Sequence, residues 1–117
     1  MKLGDMEVYR LSLELSDEGW DIYQSLPQTF RYGIGDQMLR AVDSIGANIA
    51  EGYGRYHYKD SKKFYYNARG SLWEVKHWFL LLHKRQLITK DQFDRNIILL
   101  DLLGKKLNGF IKNLNTK

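Results

Sequence analysis

Apolar residues recur every three or four positions along most of the chain, the spacing that places side chains on one face of a helix. The first run predicts a helix that ends before Pro27, because proline disfavours a helical conformation in the residue before it. Its apolar stripe consists of Val8, Leu11, Leu15, Ile22 and Leu26. No stretch of any length alternates between apolar and polar residues, so the pattern predicts no strands.

Three further helices follow from the same spacing. The second runs from Thr29 or Phe30 to Tyr53, and the third begins at Asp60 or Ser61, either of which is a suitable N-cap. The fourth begins at Thr89, which has the spacing of a capping box with Gln92. The apolar stripes are Ile34, Met38, Val42, Ile45 and Ile49, then Phe64, Ala68, Leu72, Val75, Phe79 and Leu82, and finally Phe93, Ile97, Leu100, Leu103, Leu107, Ile111 and Leu114.

Four helices with short connections favour one architecture. A chain of 117 residues forms one domain with a single core, and short connections make consecutive helices antiparallel. We therefore predict an all-α, up-down antiparallel four-helix bundle over residues 1–117. No signal peptide, membrane span or cysteine is present in the sequence, so we expect a cytoplasmic protein without membrane contact.

Charge is divided unevenly along the chain. Residues 1–51 contain nine acids and four lysines or arginines, whereas residues 52–117 contain five acids and fourteen lysines or arginines. This division indicates either an anionic partner for the second half or neighbouring subunits with complementary charges. A basic surface that is merely solvated is the remaining alternative.

The strongest candidate for binding follows the second helix, where tyrosines and cations are interspersed. Cations neutralise phosphates, and exposed tyrosines stack on unpaired bases. This pattern predicts a nucleic-acid-binding surface, unless some of the tyrosines belong to the core and the lysines only solvate a turn. The candidate residues are Arg55, Tyr56, Tyr58, Lys59, Lys62, Lys63 and Arg69.

The third helix is apolar around most of its circumference, which is more than one core face requires. Aromatic residues are enriched at subunit interfaces. We therefore predict an oligomer interface, with aromatic residues exposed on a monomer as the alternative. The candidate residues are Trp73, Trp78, Leu80 and Leu81.

The second helix carries a polar row and, beside it, a row of small residues. The small residues, Gly46, Ala47, Ala50 and Gly54, permit close approach by another backbone. We interpret the polar row as a structural seam that pairs with Glu74 of the third helix, because buried charges persist only when paired. A ligand or catalytic site and plain surface exposure are the alternatives. The polar row consists of Arg40, Ser44, Asn48, Glu51 and Arg55, and we expect Glu74 to meet Arg40 or Asn48.

No pattern of catalytic residues emerges. Di-iron bundles need two Glu-x-x-His pairs and two further glutamates, but the chain offers one such pair, Glu74 with His77. No arginine precedes a histidine at the spacing of a helical ribonuclease, and no nucleophile elbow, Walker loop or dinucleotide fingerprint is present. We expect no enzyme activity, metal, cofactor or small-molecule substrate.

The string QMLRAVDSIGANIAEGYGR, followed by FYYNARGSLWEV, resembles the four-helix-bundle family of bacterial proteins encoded within intervening sequences of large-subunit (23S) ribosomal RNA. The resemblance covers nearly the whole chain, although the usual aromatic residue is replaced around Leu3–Met6. The chain is more distantly similar to the accessory variability protein of diversity-generating retroelements. The motif positions are Gln37, Arg40, Ala41, Ser44, Ile45, Asn48, Ile49, Ala50, Glu51, Gly52, Gly54 and Arg55, then Ala68, Ser71, Leu72 and Glu74.

The resemblance implies a bundle that assembles into a ring, a homopentamer, and it supplies no enzyme activity. The retroelement protein implies a basic bundle that binds a reverse transcriptase and nucleic acid. Together with the charge division, these implications predict a non-enzymatic homo-oligomer that binds RNA or a ribonucleoprotein through its Tyr/Lys-rich surface. The alternative is a protein–protein scaffold or adaptor without direct nucleic-acid contact.

Overall fold

Four long helices contain most of the chain. A computed structural model of the protein describes residues 2–55 and 60–115, and within these ranges no strand occurs. The helices are α1 (Glu7–Ser25), α2 (Asp36–Gly54), α3 (Ser61–Lys84) and α4 (Lys90–Asn115). A short 3-10 turn at Leu3–Asp5 precedes α1. The all-α fold predicted from the apolar spacing is therefore confirmed.

The connection between α1 and α2 is itself helical. One α-helical turn, Gln28–Phe30, leads into a π-helical turn, Arg31–Gly35, that continues into α2. The guanidinium of Arg31 donates hydrogen bonds to the carbonyls of Leu26 and Gln24, at 3.1 and 2.7 Å. These bonds satisfy carbonyl groups that the end of α1 leaves without helical partners.

Local capping explains where α3 ends and where α4 begins. The backbone N–H of Thr89 donates to the Gln92 side chain, and the N–H of Gln92 donates to the Thr89 hydroxyl, which confirms the predicted capping box. Asp60 occupies the N-cap position of α3, but its side chain makes no capping bond. At the other end of α3, Gln86 adopts a left-handed φ of 60° in a Schellman-type turn closed by the Leu87 N–H and the Leu82 carbonyl.

The helices pack around one core in the order α1–α2, α2–α3, α3–α4 and α4–α1. The predicted stripes line this core, with exceptions in the third and fourth helices. Tyr65, rather than Phe64, is buried in α3, so the alternative that some tyrosines belong to the core is correct for Tyr65. In α4, Asn96 is fully buried, while Phe93 and Ile97 are only partly buried.

Ion pairs and polar bonds tie α4 to both of its neighbours. Arg95 forms a two-pronged ion pair with Glu18 of α1, with N–O distances of 2.9 and 3.1 Å. Lys76 of α3 lies 3.3 Å from the Asp101 carboxylate of α4. Because one partner in each pair, Arg95 or Asp101, is largely exposed to solvent, each pair contributes at most about 1 kcal/mol, and the apolar core supplies most of the stability.

Two glycines of α2 allow neighbouring helices to approach its backbone. A Cβ atom at Gly46 would lie 2.8 Å from the Ser12 hydroxyl of α1, and one at Gly52 would lie 2.7 Å from the Tyr65 ring of α3. Close approach was predicted for a row that contains Gly54, but no described atom lies within 4 Å of a Cβ built there. The reason is geometric: Gly52 follows the core stripe of Ile45 and Ile49 at helical spacing, whereas Gly54 points outward.

Replacing Gly52 with alanine therefore tests the close packing of α3 on α2. The new methyl group forces the Tyr65 ring to move, and overpacking of this kind costs about 1–3 kcal/mol. Part of this cost is offset because alanine favours the helix over glycine by about 1 kcal/mol. We expect Gly52→Ala to lower the free energy of unfolding by up to about 2 kcal/mol in urea denaturation.

Gly70→Ala provides the matched control. Gly70 is exposed within α3 and has no described atom within 4 Å of a built Cβ, so the same change raises stability by about 1 kcal/mol through helix propensity. Equal effects of the two substitutions would show that close packing at Gly52 is unimportant.

Candidate nucleic-acid and subunit interfaces

A basic cluster lies where α2 ends and α3 begins. The Arg55 guanidinium forms an ion pair with Asp60 at 2.8 Å, and Lys63 lies 3.9 Å from the same carboxylate. Arg55 and Lys63 also lie over the Phe64 ring, 5.0 and 5.2 Å from its centroid. We name Arg55, Asp60, Lys63 and Phe64 the corner cluster. Because its two cations share one acid, the corner cluster carries a net positive charge on an exposed surface.

Of the seven predicted nucleic-acid-binding residues, the structure describes four, which are Arg55, Lys62, Lys63 and Arg69. Tyr56, Tyr58 and Lys59 lie outside the described residues. Arg55 and Lys63 belong to the corner cluster, whereas Lys62 and Arg69 follow a different line along α3. Arg69 donates a hydrogen bond to Asn108 of α4 at 3.4 Å, which places this line on the α4 side of the helix.

This line is a row in which cations alternate with apolar side chains at spacings of four and three residues. We name it the α3 row, and its members are Lys62, Tyr66, Arg69, Trp73, Lys76 and Leu80. Arg69 lies 4.9 Å from the centroid of the Tyr66 ring, and Lys76 lies 5.6 Å from that of Trp73. Trp73 is 64% exposed and Leu80 is 50% exposed. Two predicted interface residues thus share a surface with two predicted nucleic-acid-binding residues.

The other two predicted interface residues lie elsewhere on α3. Trp78 and Leu81 are partly buried against the core. The Trp78 indole N–H donates to the Glu74 carboxylate at 3.0 Å, and its ring meets His77 edge to face. The structure therefore separates the predicted interface into an exposed pair, Trp73 and Leu80, and a partly buried pair.

The polar row of α2 lies at the helix surface. Arg40 and Glu51 are exposed, and Ser44 and Asn48 are partly buried. The Ser44 hydroxyl donates to the Ala41 carbonyl, and the Asn48 amide donates to the Ser44 carbonyl, so both groups bond to their own helix. Among the described residues, no ion pair or hydrogen bond joins Glu74 to Arg40 or Asn48. The predicted cross-helix pairing is not formed, because Glu74 is exposed beside Trp78.

Sequence reasoning did not single out a second exposed row, on α1. We name it the α1 row, and its members are Leu13, Asp17, Trp20 and Gln24, all exposed and again spaced by four and three. Leu13 is 46% exposed and Trp20 is 49% exposed. The exposed acids Glu14 and Asp21 flank the row. The sequence signal that could have found it is the presence of acids among the apolar residues of the α1 row, whereas the core stripe of α1 contains no acid.

The end of α1 carries a stacked aromatic group. Trp20 and Tyr23 stack with ring centroids 5.7 Å apart, and the Arg31 guanidinium lies 5.8 Å from the Tyr23 centroid. Partial burial, and secondarily the Asp36 carboxylate, raise the pKa of Tyr23 above its ordinary value of 10.0.

The described residues offer neither a metal-binding cluster nor a membrane-spanning helix. Within residues 2–55 and 60–115, no group of three or more His, Asp or Glu side chains is placed to hold a metal ion. In the same part of the chain, no helix is both long and apolar enough to span a membrane.

The fold and its exposed rows define an all-α helical-bundle protein. The family of 23S rRNA-intervening sequence proteins matches residues 4–109, and the chain belongs to this family. It is also similar to the crystal structure of a protein of unknown function from the S23 ribosomal protein family of Bacteroides thetaiotaomicron. That similarity has a TM-score of 0.83 and 27% sequence identity, and it covers 90% of this chain and 98% of the other. No curated protein matches.

The position of the polar row leads to a test of the predicted seam. Because Arg40 and Glu74 do not touch, a double-mutant cycle of Arg40→Ala and Glu74→Ala should give a coupling energy below about 0.3 kcal/mol in urea denaturation. The Arg95–Glu18 ion pair is the positive control, with an expected coupling of about 0.5–1 kcal/mol. A coupling above about 1 kcal/mol between Arg40 and Glu74 would contradict the structure and support the seam.

Proposed function

We propose that this protein is a non-enzymatic, homo-oligomeric helical bundle that binds RNA, alone or within a ribonucleoprotein, through its basic half. The observation that carries the proposal is the division of charge between helices. Five acids and one base lie on α1, whereas five bases and one acid lie on α3. A one-sided basic surface attracts polyanions and gains free energy from the release of their counterions.

The proposed assembly is an up-down bundle that forms a cytoplasmic five-membered ring. The ion pairs support the antiparallel order, because residue numbers increase along one helix while those of the paired residues decrease along the next. Glu7 pairs with Lys106 and Glu18 with Arg95 between α1 and α4. The ring and its five subunits come from the family resemblance.

We place the RNA-binding surface at the corner cluster. Arg55 and Lys63 present two cations over one aromatic ring, and only Asp60 opposes them there among the described residues. Lys62 adjoins the cluster, and the sequence between residues 55 and 60 adds two tyrosines and a lysine. Repetition of this corner around a ring would strengthen weak phosphate contacts through avidity.

A second candidate function is a protein–protein scaffold without RNA contact. It is favoured by the exposed apolar side chains outside the basic corner, which include Ile98 at 70% and Leu102 at 41% on α4. The two functions differ in their dependence on salt and on nucleic acid. Capture of partners that survives nuclease treatment, with no RNA binding by the pure protein, would favour the scaffold.

The RNA proposal is tested by binding of structured and single-stranded RNA across a salt series. We expect the affinity to fall steeply with salt, and Lys63→Glu to lower it about tenfold or more at low salt, because a phosphate contact becomes a repulsion. Lys84→Glu, at the opposite end of the same helix, is the matched control and should lower it less than about threefold. Equal losses for the two variants would contradict the assignment to the corner, and no binding at low salt would refute RNA binding.

A further inference from the structure

We propose that the α3 row of one copy packs against the α1 row of a second copy, in a heterologous contact. The proposal rests on the oligomeric part of the proposed function and names the two surfaces that meet. It also moves Lys62 and Arg69 from the RNA-binding surface to the contact between subunits.

The first argument is the shape and apolarity of the two rows. Both follow the alternating spacing of four and three residues that lines one side of a helix, which is the pattern of helices that pack side by side. The exposed fraction lies between 46% and 64% for Trp73 and Leu80 of the α3 row and for Leu13 and Trp20 of the α1 row. Large apolar side chains grouped on a surface indicate a binding face.

The second argument is charge complementarity. Exposed carboxylates of Glu14, Asp17 and Asp21 lie on or beside the α1 row, and none forms an ion pair among the described residues. The other two acids of α1, by contrast, are paired with α4. The α3 row presents Lys62 and Arg69 between its apolar members, together with Lys76, which also pairs with Asp101 of α4 in its own protomer. The carboxylates of the α1 row therefore complement the cations of the α3 row.

The third argument excludes pairing of like rows. Two α3 rows would bring three cations of one copy against three of another, and two α1 rows would bring carboxylates together. Juxtaposition of like charges costs several kcal/mol at an interface. Since α1 and α3 each pack on α2 and α4, the two rows face different directions on one protomer. Such a head-to-tail contact generates a closed ring when its rotation closes.

Mixing two disabled variants tests this arrangement directly. Trp73→Glu disables the α3 row and Trp20→Glu disables the α1 row, and both changes are at exposed positions that leave the core intact. Light scattering after size-exclusion chromatography should give an oligomer for the wild type and a monomer for each variant alone. An equimolar mixture should give a heterodimer, because one intact α1 row meets one intact α3 row and no second contact remains.

Leu102→Glu is the matched control, since it also places a charge at an exposed apolar position, but outside both rows. It should assemble as the wild type does. Three results would each overturn the proposal. Either row variant could assemble as the wild type does, the equimolar mixture of the two row variants could stay monomeric, or Leu102→Glu alone could abolish assembly. Loss of RNA binding by Trp73→Glu with assembly unchanged would overturn it too, and would assign the α3 row to RNA.

A charge exchange provides a test that does not depend on the tryptophans. Asp17→Lys with Asp21→Lys on one chain, and Lys62→Glu with Arg69→Glu on another, should each weaken assembly tenfold or more. Combining all four changes in one chain should restore most of the loss, and no restoration would overturn the proposal. RNA binding by the same samples is scored separately, so RNA binding by a wild-type monomer would reject this contact and leave the RNA proposal standing.

Discussion

The Tyr65 ring of α3 packs directly on the backbone of α2 at Gly52, where a Cβ atom would lie only 2.7 Å from the ring. The ring lies where any side chain at Gly52 would have to be, so α2 and α3 share their most extensive contact. Tyr65 also meets Phe110 of α4 edge to face, with ring centroids 4.9 Å apart. One aromatic ring therefore sets the separation of three helices. The glycine is tolerated in the helix because this packing offsets its unfavourable propensity.

The position of this contact determines what the rest of α2 can do. Because Ile45, Ile49 and Gly52 face inward, the polar row of α2 is turned towards the surface. There Ser44 and Asn48 bond to their own helix and place no charge in the core. The string SIGANIAEGYGR thus combines a packing face with a solvated polar face, and only Arg55 at its end joins a candidate binding surface.

Helix locations and most of the core were predictable because they depend on local spacing. The capping box at Thr89 and Gln92 is a short-range pattern, and it is present as expected. The buried Tyr65 was less evident, because Phe64 and Tyr65 are adjacent and both are aromatic. Which of the two is buried depends on which one faces Gly52 of α2. That depends on how α2 and α3 pack together, and the sequence of α3 alone does not determine it.

The candidate sites were harder to predict for the same reason. Spacing within α3 places Trp73 and Arg69 on one side, but only contacts with Asn108 and Asp101 show that this side borders α4. The expected pairing of Glu74 with Arg40 failed because the rotation of two helices about their axes decides which polar residues meet. Buried Asn96 was not anticipated either. Its amide donates to the Gln92 carbonyl, while its carbonyl oxygen has no partner within the described residues.

The central claim is that the glycine-containing end of α2 is part of the packed core and not a pliable binding loop. Native-state amide hydrogen exchange tests it most directly. The account predicts that the amides of Ile49–Gly52 and of Ala68–Leu72 exchange only through global unfolding, with the protection of the most stable core amides. Exchange of Ile49–Gly52 through a local opening about 2 kcal/mol or more below the global free energy of unfolding would contradict the account.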